Sequence, residues 1–151
     1  MKLFFYLIIA TTIFISCGGD ESQIDINARN QQEILDYLAD NDVSDAFETS
    51  SGLFVRIENE GSADKPTIND EITLTYQGTF TDGTSFDGTT TPITFPLAGL
   101  ILGWQEGIPH FGKGGNGSLY IPSRLAYGQS GTRGIPPNTV LVFDIDIIDF
   151  E

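Results

Sequence analysis

From Ser51 onward, apolar and polar positions alternate in short runs broken by Gly, Pro, Asn and Asp. Gly52 to Glu58 has the composition of a strand, and Glu71 to Gln77 places Ile72, Leu74 and Tyr76 on one face of a second. Ser118 to Ile121 and Thr139 to Phe150 predict two more. In the longer of these, Leu141, Phe143, Ile145 and Ile147 share a face while Asp144 and Asp146 occupy the opposite, solvated one. Thr81-Asp82-Gly83-Thr84 carries an Asp-Gly hairpin signal. The spacing predicts one short helix within Leu100 to Phe111. The expected fold class is therefore α+β, with about five antiparallel strands around that helix. Upstream, Asn30 to Leu38 has helical period, with Ile34, Leu35 and Leu38 on one face and Asn30 as the expected cap, Glu33 following three residues later. Before it, Met1-Lys2 opens an apolar run that ends at Ser16-Cys17-Gly18-Gly19.

Length and composition narrow the function classes. The 151 residues suit one domain, and 17 glycines, seven prolines and eleven phenylalanines favour short strands and turns. The formal net charge of −14 repels phosphates, which excludes nucleic acid as a partner and disfavours anionic headgroups. One cysteine permits neither an internal disulfide nor a Cys-ligated zinc. The N-terminal apolar run is shorter than the roughly 20 residues of a membrane span but suits the core of an export signal. With its lone cysteine among small residues, residues 1–16 resemble a bacterial lipoprotein signal, Phe14 standing where that pattern usually has Leu. The resemblance implies cleavage before Cys17 and its lipidation, hence a membrane anchor on the outer membrane of a Gram-negative bacterium, periplasmic or surface-facing. An ordinary cleaved signal with an incidental cysteine is the alternative. Gly18-Gly19-Asp20-Glu21 resembles the acidic tract of surface-exported lipoproteins. Cleavage removes Lys2 alone among the charges, so the mature chain is one unit more negative. Residues 17–48, with nine acids against Arg29, are expected to form an acidic tether with a short helix, and residues 49–151 the folded domain.

Several motifs lack the context their chemistry needs. Gly107 to Gly114 nearly matches a phosphate-binding loop, but Gly114 replaces the magnesium-binding hydroxyl and a strand follows instead of a helix. Gly112 to Gly117 satisfies G-x-G-x-x-G without a βαβ unit around it, and is expected to be a hairpin turn. Asp40 to Asp45 starts like a calcium loop, yet Asp45 and Ser51 stand where Gly and Glu belong. His110 is the single histidine, and no nucleophile elbow accompanies it.

A set of aromatics and turns remains: Tyr76-Gln77-Gly78, Asp82 to Asp87, Phe95-Pro96-Leu97, Leu100 to Gly107, Ile121-Pro122, Leu125 to Gly128, Ile135 to Asn138 and Leu141 to Asp144. In their order and spacing, residues 50–151 resemble the FKBP-type peptidyl-prolyl isomerases. Any single aromatic alone would be read as core; several motifs in register are specific. The resemblance implies an FKBP-like curved sheet wrapped around a short helix and an isomerase that uses no cofactor and no metal. It implies a pocket with Trp104 as floor and Tyr76, Phe86, Phe95 and Phe143 as walls. Leu100 and Ile101 would line one side, with the Ile101 N–H bonding a substrate carbonyl. Tyr127 would stand at the rim, Ile135 at the mouth, and Asp87 would orient Tyr76.

The partners implied are proline-containing unfolded or partly folded proteins and FKBP-type macrolides. Ile93 departs from the aromatic common in the family, and the segment from Asp87 to Phe95 is short, which would open the pocket's side. The loop Gly128 to Gly134 would lie over the site, and its Arg133 would favour an acidic residue near the substrate proline. The chemistry is consistent with such a site. Rotation about X–Pro faces a barrier near ~20 kcal/mol from amide resonance, and tighter binding of the twisted amide lowers it without a nucleophile. The alternative function is a binding module or chaperone that captures proline segments without significant turnover.

Overall fold

The computed structural model describes residues 22–151; the expected export signal, residues 1–16, and Cys17 lie outside them. In chain order the elements are α1 (Gln23–Asp40), β1 (Phe47–Glu48), β2 (Phe54–Asn59), β3 (Glu71–Thr79), β4 (Ser85–Pro96), α2 (Leu102–Gly107), β5 (Asn116–Ile121) and β6 (Leu141–Phe150). The strands form one sheet in the order β1-β2-β5-β6-β3-β4, with every pairing antiparallel. The fold is FKBP-like: a six-stranded antiparallel sheet and two α-helices.

Alternation in β3 and β6 sends Ile72, Leu74, Leu141, Phe143, Ile145 and Ile147 into the main core, whereas Asp144 and Asp146 face outward. α2 covers this face. Its Gly103 and Gly107, one helical turn apart, lie on β5: a Cβ at Gly103 would stand 2.5 Å from Ile121 and one at Gly107 2.6 Å from Leu119. Their bare backbone brings the helix close to the sheet and so places Trp104 between them in the core. A 3₁₀ turn, Ile108–His110, completes the helical segment.

α1 packs on the opposite face. Ile34 and Leu38 join Phe54, Tyr120, Val140 and Val142 in a second cluster. The start of β2, β5 and the start of β6 are thus buried on both sides. Three sequence-based expectations need correction here. α1 has 18 residues and its cap is Ser22, whose Oγ accepts from the Asp25 N–H at 3.2 Å. Asn30 is a buried mid-helix residue, and Leu35 is exposed while Ile34 and Leu38 are buried. The apolar stripe runs every fourth residue, through Ile26, Asn30, Ile34 and Leu38, and so excludes Leu35. Gly112 to Gly117 is also no hairpin. The Gly112 N–H donates to the Glu60 carbonyl and the Gly114 N–H to the Ile147 carbonyl, so this loop is strapped to two separate segments before β5 begins.

Candidate active site

The β3–β4 hairpin builds one wall of the site. It turns through Thr81 to Thr84, where the Asp82 carboxylate accepts from the Thr84 N–H at 2.8 Å; this bond holds the Asp82 pKa below the usual carboxylate range. In the ladder Gly78 pairs with Asp87 on one side and Phe143 on the other. A Cβ at Gly78 would lie 2.7 Å from Phe86 Cζ and 3.0 Å from Phe143 Cε1. The missing side chain therefore makes room for the edge-on contact of Phe86 with Phe143, centroids 5.4 Å apart at 89°.

Trp104, Tyr76 and Phe143 meet edge to face. Trp104 stands 5.1 Å from Tyr76 and 5.0 Å from Phe143 by ring centroid, each at 84°. Trp104 is buried, and its indole Nε1–H has no hydrogen-bond partner. The Tyr76 hydroxyl donates to Asp87 Oδ2 at 2.8 Å. Burial, then the bond to Asp87 and its charge, push the Tyr76 pKa up to about 12. Across the cavity, the Gln105 amide donates to the Leu100 carbonyl at 2.6 Å and the Ala98 carbonyl at 3.2 Å, tying the 98–100 turn to α2.

These elements enclose an open cavity of about 300 Å³. Tyr76, Asp87, Phe95, Leu100, Ile101, Trp104, Tyr127 and Phe143 all line it, together with Gly99. Phe86 and Ile135 instead line an adjoining depression of about 200 Å³, which Arg133 also borders and which shares Asp87, Tyr127 and Phe143. Ile93, exposed on β4, lines neither. Among the described residues Asp87 is the one carboxylate of the cavity, and no histidine or thiol borders it. A larger, more open hollow of about 600 Å³ lies on α1, but Arg29, Glu33, Asp36 and Asp40 line it and no apolar floor closes it. An apolar ring fits the aromatic cavity and not the hollow. Gly78 and Gln105 stand in the quoted motifs but received no role from the sequence, and Gly99 stands in none; only a register assignment would have shown Gly78 between two aromatic neighbours.

The family model for FKBP-type peptidyl-prolyl cis-trans isomerase matches residues 62–148. The chain belongs to the FKBP-type peptidyl-prolyl cis-trans isomerase family. It is 42% identical over 106 residues to the isomerase FkpA of Escherichia coli K12, covering 68% of this chain and 39% of that one. It is 40% identical over 126 residues to FkpA of Aeromonas hydrophila, covering 81% and 47%. A crystal structure of a peptidyl-prolyl cis-trans isomerase from Pseudomonas syringae pv. tomato superposes with a TM-score of 0.75 at 29% identity, over 89% of this chain and 99% of that one. The chain thus spans less than half the length of these two FkpA relatives. The whole cavity lining of this FKBP domain, from Tyr76 to Phe143, falls within the matched span.

Proposed function

We propose that this FKBP domain accelerates cis–trans rotation about X–Pro bonds in proteins folding in the cell envelope. The observation that carries the reading is the Trp104-floored aromatic cavity with a single carboxylate, Asp87, fixed by Tyr76 at its edge. The proline ring sits over Trp104, between Tyr76, Phe95 and Phe143. The Ile101 N–H, at the head of α2, donates to a substrate carbonyl, and Tyr127 contacts the peptide at the rim. An apolar wall removes water from the amide carbonyl, whose hydration favours the planar, charge-separated form. Relative stabilisation of the twisted amide follows, and each ~1.4 kcal/mol of it gives about tenfold in rate. No covalent step, base or metal enters. The same cavity takes FKBP-type macrolides as competing ligands. The export signal and Cys17 suggest the location, a lipid-anchored domain on the outer membrane; α1 and β1, which lie within the acidic residues 17–48, pack into the fold and so are part of the anchored domain and not a free tether.

A second reading, capture of proline segments without turnover, is favoured by exposed apolar side chains beside the cavity. Leu102 adjoins Ile101 and is 56% exposed; Ile93, two positions from Phe95, is 39% exposed. Refolding of a protein limited by a proline step separates the two. Such phases take about 10–100 s uncatalysed. An isomerase shortens the phase at a small fraction of the substrate concentration; a capture module acts only near equimolar amounts and leaves the rate unchanged or slower.

A further inference from the structure

Asn30 is fully buried in the middle of α1, on the stripe otherwise made of Ile26, Ile34 and Leu38. Its Oδ1 accepts from the Ser123 N–H at 2.9 Å and the Ser123 hydroxyl at 2.6 Å. Its Nδ2 donates to the Asn138 carbonyl at 3.0 Å. These partners fix the orientation of the carboxamide, since the Ser123 N–H can only donate and the Asn138 carbonyl only accept.

Ser123 and Asn138 lie at opposite ends of the segment between β5 and β6. Within it, the Gly128 N–H donates to the Ser123 carbonyl and the Asn138 N–H to the Gly128 carbonyl, both at 2.8 Å. Asn30, Ser123, Gly128 and Asn138 thus form a closed ring of hydrogen bonds, and α1 supplies the link that closes it. Gly128 follows Tyr127, which lines the cavity, and the stretch between Gly128 and Asn138 carries Arg133 and Ile135 of the adjoining depression. Farther along α1, Gln23 accepts from the Gln129 amide at 2.9 Å. An aliphatic side chain at position 30 would fill the helix–sheet interface without a polar atom to satisfy. A carboxamide that satisfies both ends of the segment instead sets its geometry.

We propose that Asn30 is a positioning residue for the cavity: through this ring it holds Tyr127 at the rim, and α1 is a working part of the site. The kinetic half of the test rests on the isomerase reading; the structural half does not. Amide hydrogen exchange of the mature chain is measured by NMR for wild type and Asn30→Ala, with kcat/KM on a proline peptide for Asn30→Ala, Tyr127→Ala and the double variant. The expected result is exchange at least about tenfold faster at Gly128 and Asn138, with Leu119 and Ile145 unchanged. The double variant then loses no more activity than Tyr127→Ala alone, because Asn30 acts through Tyr127.

Unchanged exchange at Gly128 and Asn138, equal acceleration through every strand, or losses that multiply in the double variant each overturn the proposal. Should Asn30→Ala not fold, Ser123→Ala keeps α1 and must give the same local pattern at smaller amplitude; a uniform pattern overturns it. An inactive wild type contradicts the isomerase reading alone, and the exchange pattern then decides the ring.

Discussion

The Tyr76 hydroxyl donates to Asp87 Oδ2 at 2.8 Å, diagonally across the β3–β4 ladder in which Tyr76 pairs with Thr89 and Asp87 with Gly78. Two residues eleven positions apart are brought together by a hairpin, and the bond aims one carboxylate at the edge of an apolar cavity. Burial first, and this bond after it, keep the phenol protonated well above its ordinary value of 10.0.

Replacing Asp87 by Asn removes the adjacent charge but leaves Tyr76 equally buried. Its pKa should fall from about 12 yet stay above 10.0, since burial is the largest cause of the rise. Tyrosinate absorbance across an alkaline titration reads this directly; an unmoved Tyr76 would contradict the coupling. The sign for stability follows from linkage. Between ~10, where the unfolded phenol titrates, and the folded value, the native state binds more protons. The contribution of Tyr76 to stability is therefore complete below that window and is lost as pH rises through it.

Gly78→Ala puts a methyl group against Phe86 and Phe143. Overpacking of this kind costs about 1–3 kcal/mol, and here displacement of Phe86 should also weaken proline-peptide binding. Denaturant unfolding together with a peptide titration checks both. A variant that is destabilised but binds normally would show that Phe86 has no part in the site.

Trp104→Ala opens the cavity floor and should cost about 3–5 kcal/mol. Trp104→Phe keeps an aromatic floor and removes an indole N–H that has no partner. It should cost less than half as much. Equal losses in urea unfolding would mean that the N–H has an acceptor after all.

Lipidation at Cys17 predicts that a radiolabelled fatty acid marks the wild-type protein in cells of a Gram-negative host and spares Cys17→Ser. Labelling of both to the same extent would reject the anchor.

β2 and β5 were legible as strands, but which face each residue takes was legible only in strands buried on one face. Alternation in β3, and in β6 from Phe143 onward, shows in the letters because Asp144 and Asp146 are solvated. β4 did not show: it is an edge strand, nearly all exposed, and Thr89 to Pro92 has no alternation to detect. α1 was underestimated because its apolar stripe is interrupted by Asn30, a polar residue that reads locally as a cap. Its docking had one trace in the sequence, the unbroken apolar runs Leu53-Phe54-Val55 and Leu119-Tyr120-Ile121, which mark strands covered on both sides. The cavity was legible only as a family resemblance. Nothing in the spacing of Tyr76, Trp104 and Phe143 alone brings three rings within about 6 Å of one another; strand register and the approach of α2 do that.

The central claim is turnover in the Trp104 cavity, and a protease-coupled assay on an Ala-Phe-Pro peptide measures it most directly. The account predicts catalysed cis-to-trans conversion by the wild type and a loss of about tenfold or more in kcat/KM for Asp87→Ala, equivalent to ~1.4 kcal/mol of transition-state stabilisation. Conversion at the uncatalysed rate, or catalysis that Asp87→Ala and Trp104→Ala both leave intact, would contradict it.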